Sequence, residues 1–443
     1  MSLPRARRTA LLLPLGFFSL ALVQPVHATT APVTPEFKSQ LVAQADGQVA
    51  SFYAYGPGSL WIDANGALDP AAGELVQLIQ TADEDGLDPA ALHAAEITQA
   101  VNQAQANPTP ATLADAEVQL SRAFAAYVAA LEQDGPEAMQ YEASTLRPRA
   151  LGDYHTLSQA AVAPSLAEYI RGMNWMHPLY APLRHALMAD TGLAPADRQL
   201  AIKNLERIRQ IPDQPRGRHI VIDSANATLW MYDGDKAVDS MKVVVGKPEK
   251  QTPAYAGYIR SAFLNPYWNV PADMVRSIIA RNVLSQGFAY LKRQGYEVVS
   301  AFSNDADIID PHTIDWPAVQ RGELKVLVRQ RPGPRNSMGT MKYEFPNPYG
   351  IYLHDTPEKE TLAEGSRQLS AGCIRLEDAK RLGSWLMQGD IETVSGAPEQ
   401  KLPLPQPVPI YITYLTAHVS GDGQLAFGPD PYDRDHKALA SLD

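Results

Sequence analysis

The chain has almost no cysteine and no basic cluster outside its N-terminus. Of its 443 residues only Cys373 carries a thiol, so an intrachain disulfide and a metal site built from several cysteines are excluded. No run of Lys and Arg occurs beyond the first ten residues, and the formal net charge is −11. The sequence therefore lacks the positive surface of a nucleic-acid-binding protein, and we expect no nucleic-acid partner.

Long hydrophobic runs are also missing. The longest, Ala10 to Val23, has fourteen residues, whereas a membrane span needs ~20. It follows three arginines and precedes Val26-His27-Ala28, a small-residue cleavage site. This pattern predicts a signal peptide over residues 1–28, no membrane span and export of the chain. In an oxidising compartment an unpaired cysteine is either buried and inert or kept for its reactivity, and composition leaves both open.

The composition of the chain, with 45% hydrophobic and 20% charged residues, is typical of a globular protein. Its length favours two or three domains. From about residue 67 to residue 207 the chain is rich in Ala, Leu and Gln. Asp69-Pro70 and Asp88-Pro89 each place Asp at an N-cap and Pro at the first helical position, and Thr109-Pro110 predicts a third helix. We predict a helical domain over residues 29–210.

After Pro212 the hydrophobic pattern changes to period two, which predicts strands. Asp233-Gly234 is a hairpin signal between two of them. Helical periodicity returns at 273–293 and 300–319 is polar and irregular, so this part is interpreted as an insertion. The clearest later elements are strands at 350–354 and 408–419, the second behind a Pro-rich run, and a helix at 377–387. The fold class is therefore α+β, with a β-rich domain over 211–443.

The chemistry concentrates between residues 349 and 376. A cysteine nucleophile needs a base and stabilisation of the thiolate, and His354, Arg375 and the start of a following helix could supply them for Cys373. Gly372 allows close approach to a substrate, and amides beside the thiol could stabilise an oxyanion. Taken singly, a His that lies beside an Asp is more often a structural residue than a catalytic one, and the same holds for a single Arg. The residues alone leave a Cys/His acyltransferase or hydrolase and a structural thiol about equally open.

A wider pattern goes further. His354 together with Ser370-Ala371-Gly372-Cys373-Ile374-Arg375, with eighteen residues between the His and the Cys, resembles the His…Ser-x-Gly-Cys-x-Arg signature of the YkuD-type L,D-transpeptidases, which cross-link bacterial peptidoglycan. Several flanking stretches match too, among them Val245 to Pro248 with Gln251 to Pro253, and Asn265 to Pro271. The likeness runs from about Asn204 to Asp435. The chain looks like the long Gram-negative, YcbB-like branch, with the preceding helices resembling that branch's scaffold domain.

The resemblance implies a β-rich, β-sandwich-like catalytic domain with a capping subdomain inserted at about 271–328. It also implies a periplasmic enzyme that acts on donor and acceptor stem peptides without cofactor or metal, and that carbapenems inhibit. Cys373 would be the nucleophile and His354 the base, with Tyr352, Gly372 and Arg375 completing the catalytic site. The substrate-binding residues would be Arg367, Ser370, Trp268 and Asn269, with Ser370 also fixing the loop.

Two departures from the family pattern matter. Ala371 stands where many members have His, which we interpret as tolerated. The small peptidoglycan-binding module of the long relatives is not recognisable between Tyr141 and Glu206, which weakens the usual assumption about donor stem and linkage. A 3-3 link is the family default, and a 1-3 link stays open. An L,D-carboxypeptidase and a non-catalytic wall-binding scaffold protein are the alternatives. A serine penicillin-binding enzyme is excluded because no Ser has Lys three positions later.

Overall fold

The structure is a computed structural model that describes residues 34–56, 58–63, 65–133, 139–149, 151–213, 217–391 and 397–440. The predicted signal peptide over 1–28 lies outside the described residues. None of the helices in the described ranges is both long and apolar enough to cross a bilayer.

Helices dominate the first half of the chain. They are α1 Pro35–Gln44, α2 Gly47–Tyr55, α3 Pro70–Gln80, α4 Ala94–Ala106, α5 Pro110–Leu131, α6 Asp153–Ala161, α7 Leu166–Arg171, α8 Tyr180–Ala189, α9 Pro195–Ile208, α10 Ala272–Met274, α11 Arg281–Gln286, α12 Ala289–Gln294, α13 Trp316–Arg321, α14 Ala379–Met387 and α15 Arg434–Ala440. A π-helical stretch, Val275–Ala280, joins α10 to α11.

Strands dominate the second half. They are β1 Gln140–Tyr141, β2 Arg218–Asp223, β3 Thr228–Asp233, β4 Lys236–Gly246, β5 Tyr255–Leu264, β6 Trp268–Asn269, β7 Tyr296–Val299, β8 Ile308–Ile309, β9 Leu327–Gln330, β10 Met341–Glu344, β11 Leu353–His354, β12 Gln368–Ser370, β13 Ile374–Leu376, β14 Gln400–Thr413, β15 Ala417–Val419 and β16 Leu425–Phe427.

The helical domain begins its helices largely where local capping predicts. The Asp69 side chain accepts from the Ala71 amide at the start of α3, and Thr109 forms a capping box at the start of α5. The predicted helix start at Asp88-Pro89 is wrong. Asp88 does cap the Ala90 amide, but His93 has a left-handed φ of 57° that ends this turn, and α4 begins only at the next residue.

The strands of the second half close on themselves. Eight of them form a barrel in the order β5-β10-β11-β13-β4-β3-β2-β14, and β14 pairs again with β5. The pairing is mixed, because β11–β13 and β14–β2 are parallel. Inward-facing aliphatic side chains fill the barrel, and α14 packs Leu382 and Leu386 onto the same core. The α+β fold class is confirmed, and the β-rich part is a closed barrel where the resemblance implies a sandwich-like arrangement.

A small subdomain is inserted between β5 and β10. Its four-stranded sheet has the order β6-β9-β7-β8 and its own hydrophobic core, which includes Val275, Ile279 and Trp316. Residues 300–319, which the sequence pattern indicates to be irregular, contain the short helix α13. Its N-cap is Asp315, whose side chain accepts from the Ala318 amide. We call residues 268–330 the cap.

The last strand of the barrel begins earlier than the sequence pattern predicts. β14 includes the Pro-rich run, with Pro403 paired to Ser261 and Pro409 to Tyr258 and a register shift between them. Because successive N–H groups of a strand point to opposite sides, prolines at alternate positions remove donors from one side only. Beyond β14 the chain packs Leu415 and Ala417 into the helical domain, which ties the two domains together.

Candidate active site

Strand register places two of the predicted catalytic residues, His354 and Arg375, on the same face of the barrel. β11 and β13 pair in parallel, with Leu353 opposite Ile374 and His354 opposite Arg375. Leu353, Ile374 and Leu376 belong to the barrel core. Since side chains alternate along a strand, His354 and Arg375 point outward. The Ile374 amide donates to the Tyr352 carbonyl at 2.9 Å, which brings the residue before it, Cys373, beside Tyr352.

The loop before β13 is held by hydrogen bonds on both sides of the thiol-bearing residue. The Ser370 hydroxyl donates to the Cys373 carbonyl at 2.6 Å and accepts from the Gly372 amide at 3.1 Å. Gly372 has φ +114°, a conformation that residues with a Cβ rarely adopt. Because the Gly372 amide already donates to Ser370, the Cys373 amide is the better candidate of the two predicted oxyanion donors.

Burial and one hydrogen bond define the state of His354, which is 4% exposed. Burial lowers the pKa of its imidazole to about 4, so the ring is neutral at physiological pH. Its Nδ1 lies 2.6 Å from the Asp355 carbonyl oxygen, which can only accept. Nδ1 therefore carries the proton, and Nε2 keeps the lone pair that a general base needs.

The thiol of Cys373 is partly buried. Burial raises its pKa, while a hydrogen bond from the Tyr352 backbone and the positive charge of Arg375 act in the opposite direction without overcoming it. With the thiol pKa raised and the imidazole pKa lowered, both side chains are uncharged at neutral pH. If Cys373 acts as the predicted nucleophile, its thiolate must form during attack, and His354 is the base predicted to take the proton.

The two predicted arginines lie in different surroundings. Arg375 is beside the site and forms an ion pair with Glu358 at 2.6 Å. Arg367 donates from Nη2 to the Asn226 carbonyl at 2.7 Å and from Nε to the Val243 carbonyl at 3.2 Å. Its guanidinium thus ties the loop before β12 to the β2–β3 turn and to β4. Contact with a substrate carboxylate remains a prediction.

The remaining predicted residues divide between the barrel and the cap. The Tyr352 ring lies 5.8 Å from the Lys342 ammonium, and burial raises the pKa of its hydroxyl. Asn269 lines a cavity of about 350 Å³ between cap and barrel, whereas Trp268 packs against the cap core. The other residues lining this cavity are Phe263, Tyr267, Phe302, Ser303, Asn304, Arg329, Glu399 and Lys401.

Comparison with known proteins identifies both domains. The L,D-transpeptidase catalytic domain family (YkuD) matches residues 217–410, and a scaffold domain family matches residues 47–187. Residues 217–410 form a YkuD-type L,D-transpeptidase catalytic domain. The resemblance seen in the sequence is thereby confirmed.

Relatives of the L,D-transpeptidase domain are distant. A Haemophilus influenzae protein named "Putative L,D-transpeptidase" is 28% identical over 241 residues, which are 53% of this chain and 47% of that protein. The chain thus spans about half the length of the curated relative it matches. An L,D-transpeptidase from Mycobacterium smegmatis is 14% identical, with a TM-score of 0.22 over 44% of this chain and 58% of that one. An L,D-transpeptidase determined with imipenem is 12% identical, with a TM-score of 0.23 over the same shares.

Some residues of the L,D-transpeptidase site were not singled out by sequence reasoning. Asp355 accepts from Thr340 and from the Lys359 ammonium, which also donates to the Glu377 carbonyl at 2.7 Å. These contacts fix the chain on both sides of β11 and β13. The sequence contained one indication that Asp355 lies at the site, because Asp355 directly follows His354. Nothing in it indicated that Lys359 returns to the end of β13.

Replacing Gly372 with alanine should lower the rate of Cys373 acylation by ~10-fold or more, because the positive φ is strained for alanine by ~1–3 kcal/mol and the loop carries the oxyanion donor. The new Cβ would also lie 3.4 Å from Ile351 Cγ2. Gly365→Ala is the matched control, since its Cβ would meet nothing within 4 Å. Time-resolved intact mass spectrometry with a carbapenem measures both. Equal acylation of the two variants would contradict the assigned role of this backbone.

Proposed function

We propose that this chain is an exported, periplasmic L,D-transpeptidase that cross-links peptidoglycan through a thioester on Cys373. The observation that carries the proposal is the pairing of β11 with β13, in which the buried, neutral His354 lies opposite Arg375, two residues beyond the only cysteine of the chain. The family match of the domain supports the reaction class. The signal-peptide pattern over 1–28 supports export.

In the first half-reaction the Cys373 sulfur attacks the carbonyl of an L-configured diamino-acid residue in a donor stem peptide, and the thiol proton passes to His354 Nε2. The negative oxygen of the tetrahedral intermediate faces the Cys373 amide. When the intermediate collapses, the C–N bond breaks, and the departing amine takes the proton from His354. A thioester between Cys373 and the donor remains.

In the second half-reaction an acceptor amine attacks the thioester carbonyl. His354 accepts the proton of the attacking amine and returns it to the departing sulfur, so the free thiol is regenerated. A side-chain amine of a diamino acid in another stem as acceptor would give a 3-3 link, which is the family default. Attack by water instead would make the enzyme an L,D-carboxypeptidase, and a donor attached through its first residue would give a 1-3 link.

A defined test is to incubate the purified mature chain with sacculi and to identify the products by mass spectrometry of the released muropeptides. We expect new dimers that disappear when a carbapenem is present, because ring opening by the thiol adds the whole inhibitor to Cys373. The fragmentation pattern of the dimers distinguishes 3-3 from 1-3 links. Shortened monomers without dimers would establish carboxypeptidase activity, and unchanged muropeptides together with no inhibitor adduct would leave the wall-binding scaffold alternative.

A further inference from the structure

A buried hydroxyl holds the backbone carbonyl of the residue before the proposed nucleophile. The Thr252 side chain is fully buried, and its hydroxyl donates to the Gly372 carbonyl oxygen at 2.9 Å. The same hydroxyl accepts from the Gly246 amide at 2.9 Å. Both hydrogen-bonding roles of this oxygen are therefore used within the protein.

The direction of this hydrogen bond determines where the oxyanion donor points. Gly372 C=O and Cys373 N–H belong to one peptide unit, and no cis peptide occurs among the described residues. In a planar trans peptide the C=O and N–H bonds point in opposite directions. A donor that holds the Gly372 oxygen on one side therefore aims the Cys373 amide toward the other side, where a tetrahedral oxyanion would form.

A second layer supports Thr252. The turn over residues 246–252 is tight, because a Cβ on Gly246 would lie 2.1 Å from the Lys250 carbonyl oxygen. The Tyr432 hydroxyl donates to the Gly246 carbonyl at 2.6 Å and lies 3.4 Å from the Thr252 amide nitrogen. Tyr432 is 1% exposed and its ring stacks on Tyr414 at 5.3 Å.

Tyr432 belongs to the segment beyond residue 410, where the match to the catalytic domain family ends. We propose that Thr252 is a positioning residue for the oxyanion donor of Cys373, and that Tyr432 of the C-terminal segment fixes Thr252 through the 246–252 turn. This inference rests on the proposed acyl-enzyme chemistry. It assigns to the C-terminal segment a part in acylation rather than in stability alone.

Two reagents separate positioning from general structural damage. Acylation by imipenem passes through a tetrahedral oxyanion, whereas alkylation by iodoacetamide displaces iodide from carbon and forms no oxyanion. For Thr252→Val, which keeps the side-chain shape, we expect the imipenem rate to fall ~10- to ~100-fold and the iodoacetamide rate to stay within about twofold of the wild type. Thr252→Ser, which keeps the hydroxyl, should restore the imipenem rate.

Tyr432→Phe keeps the stacked ring and removes only the hydroxyl, so it should lower the imipenem rate selectively even if Thr252→Val fails to fold. Tyr255→Phe is its matched control, because Tyr255 is also buried and donates to a backbone carbonyl, that of Pro346 at 2.7 Å, outside the catalytic loop. We expect this control to match the wild type.

The ratio of the two rates decides the outcome. If it stays at the wild-type value in Thr252→Val and in Tyr432→Phe, whether both rates persist or both fall together, the positioning role is overturned while the proposed function stands. If the wild type itself reacts with iodoacetamide but not with imipenem, the proposed function fails, and the positioning role fails with it.

Discussion

Replacing Cys373 with alanine should abolish both carbapenem adduct formation and muropeptide cross-linking. Removal of a nucleophile that acts as a unit with its base costs a factor of at least ~10³ in turnover, so no product should be detected above background. Because Cys373 is the only cysteine of the chain, no other thiol can substitute for it. Intact mass spectrometry after exposure to imipenem, together with muropeptide analysis, measures both losses.

The control for this variant lies in the same loop. Leu369 is 44% exposed and sits between the buried Gln368 and Ser370. Leu369→Ala should therefore retain both activities, and both variants should keep the thermal midpoint of the wild type within a few degrees. Cross-linking by the Cys373→Ala variant at the wild-type rate would mean that the thiol is structural and that the site lies elsewhere.

The parts of this fold that sequence could predict are those set by neighbouring residues. Asp69 and Thr109 begin helices because their side chains cap amides two and three residues ahead. Asp233-Gly234 turns the chain between β3 and β4 for the same local reason. The Asp88 prediction failed because His93 adopts a left-handed conformation that interrupts the turn, and α4 begins only after it.

Barrel closure and the support of the catalytic loop depend on distant pairings. β14 pairs with both β2 and β5, and its alternating prolines conceal the residue at which this strand begins. Tyr432 reaches Gly246 across 186 residues of sequence. By contrast, Cys373 and His354 could be singled out from the sequence, because their spacing matches the family signature. Their protonation states could not be predicted from the sequence, since they depend on burial that only the folded barrel creates.

Burial of His354 makes a specific prediction for the pH dependence of acylation. A base must be unprotonated to accept the thiol proton, and the folded pKa of this imidazole is about 4 instead of 6.5. The rate of imipenem acylation should therefore persist as the pH falls through 6 and decline only near 4. A site that depended on an imidazole of ordinary pKa would lose activity near pH 6.5. Stopped reactions analysed by mass spectrometry, with circular dichroism confirming the fold at each pH, measure this profile.

Replacing His354 with glutamine should remove the base and lower the acylation rate ~10²- to ~10⁴-fold at neutral pH. Linkage adds an independent readout. Between pH 6.5 and 4 the unfolded chain protonates this His and the folded chain does not, so the stability of the wild type relative to His354→Gln should decrease as the pH falls through that range. Denaturant titrations of both proteins at pH 7.5 and pH 5 test the sign. An unchanged difference in stability, combined with an acid limit of activity near 6.5, would show that the imidazole is solvated in the working enzyme and that the thiolate is formed before attack.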